Sequence, residues 1–67
     1  MAGEVSPALK DAALRKLDEA VQHLQMAREL LLNEKFDNSR FWAGIARSEI
    51  EMARADMAEL DEESRDG

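Results

Sequence analysis

The chain has no cysteine and no tyrosine, a single histidine, a single proline and three glycines. Without cysteine there is no disulfide and no thiolate metal site, and one imidazole cannot build a multi-histidine site. Few glycines and prolines, with no β-branched runs, leave little material for a strand-and-turn protein. No apolar run approaches the roughly 18 residues that span a bilayer. Met1 is followed by small and acidic residues, and the basic and apolar segments of an export signal are missing. Positive charge is scarce too: 9 Lys and Arg against 15 Asp and Glu give a net charge of −6. That balance disfavours nonspecific contact with nucleic acid or an anionic membrane. The expectation is a cytoplasmic protein with no cofactor, no metal and no membrane association.

What is present is a helical vocabulary of Ala, Leu, Glu, Arg and Met with seven-residue periodicity. At 67 residues one domain is the maximum, in the range where a lone core is marginal. Small chains escape that limit through disulfides, metals or association, and association is the route left here.

Ser6-Pro7 is a helix start signal: serine can cap the first free amides, and proline fits the first helical position. The first helix is expected from about residue 7 to 34. Its heptads place Leu14 and Val21 at one core position and Leu17, Leu24 and Leu31 at the other, flanked by Ala13, Ala20 and Ala27. Arg28 interrupts this stripe, and its stem can pack while the guanidinium reaches the rim. The segment 35–38 reads as the turn, with Asp37, Asn38 or Ser39 capping a second helix over about 39–61. There Ala43, Ile50 and Met57 form one seam row, and Ala46, Ala53 and Leu60 the other. Folding the chain about residue 37 opposes Ile50 to Leu24, Ala53 to Val21 and Met57 to Leu17, and sets Arg54 near Asp18. Residues 1–5 and the acidic tail 62–67 are expected to be disordered. The fold class is therefore all-α, an antiparallel two-helix hairpin at 6–61 that is expected to dimerise into a four-helix bundle.

Such a hairpin leaves apolar residues over. Phe41, Ile45 and Met52 fall outside the seam of helix 2, and Phe36, Trp42, Met26 and Leu30 gather at the turn end. These seven are the candidate interface, because a monomer would show an apolar patch beyond the few hundred Å² usual for a soluble protein. Gly44 is unfavourable inside a helix by about 1 kcal/mol, so a packing reason is expected there.

Candidate chemistry is sparse. Glu19 and His23 lie one turn apart and could share a divalent cation, but a solvated surface pair is the favoured reading. No Ser–His–acid set, Cys–His set or Gly-rich phosphate loop can be assembled, so no enzyme is expected. Arg40, Arg47 and Arg54 recur every seven residues and are candidate phosphate or partner contacts. In layout, two helices of similar length and a short turn, the chain is similar to Rop-like RNA-binding hairpin dimers. The stretch LLLNEKFDNSRFWAGIARSEIEMA resembles helical-pair units of tetratricopeptide repeats and HEPN domains. Further repeats for a solenoid are missing, and no His follows Arg47 to complete the HEPN ribonuclease pattern. The expected function is that of a small acidic, non-enzymatic regulatory or adaptor protein. It would self-associate and bind a heterologous protein through helical surfaces. A Rop-like RNA binder and a structural subunit of a larger assembly are the alternatives.

Overall fold

The computed structural model describes residues 5–65. Two helices, α1 (Pro7–Leu32) and α2 (Phe36–Arg65), run antiparallel and pack along their length. The hairpin is a rod of 53 × 13 × 13 Å. Its radius of gyration of 15.5 Å exceeds the roughly 11 Å of a compact chain of this length.

Local chemistry sets the ends of the helices. Ser6 is the N-cap of α1, its Oγ accepting from the Leu9 amide at 3.2 Å, and Pro7 is the first helical residue. At the other end the Lys35 amide donates to the Leu30 carbonyl (2.8 Å) and the Glu34 amide to that of Leu31 (3.0 Å). These two bonds form a Schellman motif, which requires a left-handed residue between them. Glu34 fills that place at φ 60°, where glycine is the usual occupant. The connection is therefore 33–35, two residues ahead of the expected 35–38.

α2 begins at once, the Ser39 amide donating to the Lys35 carbonyl at 2.9 Å. Asp37 lies in the first turn, where its charge suits the helix dipole. None of the three expected caps acts as one. Ser39 is instead buried within the helix, its hydroxyl donating to the Ala27 carbonyl across the hairpin at 2.7 Å.

The second helix also outruns its expected end. Residues 62–65, expected to be disordered, continue it to Arg65. Arg65 pairs with Asp61 one turn back at 3.2 Å, and Glu63 accepts the Ser6 amide at 2.8 Å. Residues 1–4 and 66–67 of the expected loose termini lie outside the described residues.

The seam itself is alanine. Ala13, Ala20 and Ala27 of α1 meet Ala46 and Ala53 of α2, and these five are the buried apolar residues. Among the described residues no large side chain is fully buried. Small residues along the middle of the seam let two backbones approach closely, and the row reaches a leucine only at Leu60, near the open end. The expected core rows are thereby corrected in part: Ala46 and Ala53 are buried as expected, and Leu17, Ile50 and Leu60 are half-buried. Leu14, Val21, Leu24, Leu31 and Met57 are 49, 52, 46, 56 and 40% exposed. Relative to expectation α1 is turned by about one residue, or some 100°, about its axis.

Candidate functional site

The two flanks of this seam differ in chemistry. Residues three beyond the seam positions are Lys16, His23 and Leu30 on α1, and Trp42, Glu49, Asp56 and Glu63 on α2. They meet across the hairpin and pair. Lys16 Nζ lies 2.6 Å from Asp56 Oδ2, and His23 Nδ1 lies 2.6 Å from Glu49 Oε1. Glu49 is 8% exposed and is the one buried charged residue among those described. Its partner His23 also stacks on Trp42, with ring centroids 5.2 Å apart and planes at 26°. The Trp42 ring meets Phe41 edge-on at 5.4 Å. This side is the polar flank.

Residues four beyond the seam positions, Leu17, Leu24 and Leu31 with Ala43, Ile50 and Met57, lie on the opposite side. Residues one beyond widen it on α1, with Leu14, Val21 and Arg28, and border it on α2, with Arg40, Arg47 and Arg54. This is the leucine flank, and no polar pair closes it.

The seven candidate interface residues divide between the flanks. Met26, Leu30, Phe41, Trp42, Ile45 and Met52 lie on the polar-flank side. Phe36, 61% exposed, begins the leucine-flank row of α2. Near the turn, an open groove of about 590 Å³ is lined by Gln22, Gln25, Met26, Glu29, Leu30, Asn38 and Trp42. Its floor is apolar and its rim carries amides. Phe41 and Met52, 62 and 51% exposed, flank it without lining it.

Arg40, Arg47 and Arg54 are exposed and form a row bordering the leucine flank. Arg54 lies 3.8 Å from Glu51 on its own helix, and its expected neighbour Asp18 is not its partner. At that distance and exposure the pair contributes little. His23, read as a surface neighbour of Glu19, is instead held between helices by Glu49. No group of three or more metal-ligating side chains occurs among the described residues. No helix among them is long and apolar enough to cross a membrane. Gly44 has nothing within 4 Å of the position a Cβ would take, so the hairpin itself supplies no reason for glycine there.

The polar pairs and the rotation of α1 escaped the sequence reading, although a signal existed. Lys16 and His23 are seven apart, and so are Glu49, Asp56 and Glu63. Two such series at matched levels of an antiparallel pair specify a flank. Compared with protein-family models, with curated proteins and with solved structures, the chain finds no match.

Proposed function

We propose that this chain is a small acidic, non-enzymatic regulatory or adaptor protein of the cytoplasm. It works by helical-surface binding and self-associates into a four-helix bundle. One observation carries the reading. Ten large apolar side chains are 40 to 64% exposed, while the hairpin's own core is five alanines. A core of this kind is thin, in the size range where association commonly supplements folding. The total area agrees. The chain exposes 5255 Å², about 1,000 Å² more than a compact protein of 7.5 kDa. Roughly 800 Å² is what each partner buries in a standard interface.

The arginine row supports a second reading, a hairpin dimer that binds structured RNA. Glu51 beside Arg54 and the net charge of −6 weigh against it. Sedimentation equilibrium at micromolar concentration tests the first reading, with a dimer or larger expected. A well-folded monomer would remove it. Titration with a structured RNA at two salt concentrations tests the second. No salt-sensitive binding is expected, and a steep salt slope would instead favour the RNA reading.

A further inference from the structure

We infer that the face on which a second copy docks is the leucine flank, with the twofold axis along the helices and both turns at one end. This rests on the self-association reading and adds the face, the occupant and the arrangement. Three observations bear on it.

The first is area. From Leu14 to Leu31 the apolar stripe runs about 26 Å, and two helices side by side are about 20 Å wide. The footprint is then roughly 500 Å² per copy and 1,000 Å² for the pair, the lower bound for a specific interface. Phe36 and Met57 extend it at either end, 61 and 40% exposed.

The second is the other flank. Docking there would desolvate Lys16, Asp56, His23 and Glu49, which are already paired with one another. Burying such pairs further gains little and brings a desolvation penalty. The leucine flank has no such groups in its middle.

The third is charge along the borders. The outer edge of α1 beyond the leucine flank carries Asp11 and Asp18, and that of α2 carries the arginine row. Such a face is complementary to itself if α1 of one copy lies over α2 of the other, which a twofold along the helices achieves. Because Asp56 is level with Lys16, Asp18 comes level with Arg54 of the second copy. Arg28, the one charge inside the stripe, comes level with Gly44 of the second copy. The open space at that glycine gives the arginine stem room. Asp11 and Asp61 form the one repulsive meeting, at the open end. A twofold across the helices would instead set Arg47 beside Arg54.

The natural chain has no cysteine, so single introduced thiols report proximity cleanly. With a short bis-maleimide, Leu24→Cys and Lys35→Cys are expected to cross-link between copies, and Met26→Cys is not. In sedimentation, Leu24→Glu is expected to weaken the dimer about 100-fold or more, while Met26→Glu leaves it intact. If Met26→Cys cross-links and Leu24→Cys does not, the face is wrong although self-association stands. If Leu24→Cys cross-links but Lys35→Cys does not, the axis is wrong. A folded wild-type monomer overturns both the inference and the reading beneath it.

Discussion

The polar and leucine flanks are built on one seven-residue skeleton, yet they end in opposite conditions. On the polar flank each helix brings a residue the other needs: lysine meets aspartate, histidine meets glutamate, and Ser6 meets Glu63. On the leucine flank both helices bring apolar residues, and Leu14, Val21, Leu24, Leu31 and Met57 stay about half in water. The first flank is satisfied inside one chain, whereas the second leaves large apolar side chains facing outward. On the proposed reading, folding information and association information lie on opposite sides of one alanine seam. Hydrophobicity alone does not separate them.

The sharpest way to break the comparison is to remove the seam that both flanks share. Ala53→Leu places a branched side chain at a position of 0% exposure and forces the helices apart. A loss of about 3 kcal/mol is expected, read by urea unfolding at fixed protein concentration because association contributes to the midpoint. Survival of the wild-type midpoint would mean that the alanines are not in close contact.

A smaller effect is expected on the polar flank. His23→Ala leaves the Glu49 carboxylate nearly buried without its partner and removes the ring beneath Trp42. About 2 kcal/mol should be lost, with a change in Trp42 emission. If emission changes and stability does not, the pair orients the tryptophan without holding the helices.

The smallest effect has the opposite sign and touches neither flank. Glu34→Gly relieves a left-handed non-glycine residue and should raise stability by about 1 kcal/mol without altering association. A drop would show that the Glu34 side chain has a role beyond the turn.

The hairpin was legible because periodicity survives any error of rotation. Two helical stripes joined by a short polar break pack antiparallel whichever face is inward. Rotation was not legible by the rule that leucine goes inside, since the seam of this chain is built of alanines and leaves most leucines of α1 at its edge. The turn was displaced because its signature residue is a glutamate, which carries none of the left-handed preference of glycine or asparagine. The end of α2 was read short because an acidic run at a helix C-terminus opposes the dipole. Arg65 one turn after Asp61, and the capture of the Ser6 amide by Glu63, act against that effect. Among candidate site residues, Trp42 was legible as lying at the turn end, but its ring partners were not. Its ring neighbours are His23 and Phe41, because α1 presents its histidine row there.

A seam of alanines spaced by sevens is a track without stops. Sliding one helix by a heptad would set methyl against methyl again along the middle, with only Ser39 and Leu60 at the ends of the row to register the slip. Lys16 and His23 are unlike each other and face particular carboxylates, so a slipped pair would strand a charge beside the seam. The polar flank therefore fixes the alignment that the alanines leave undetermined, much as a single buried polar residue sets the stagger of a coiled coil.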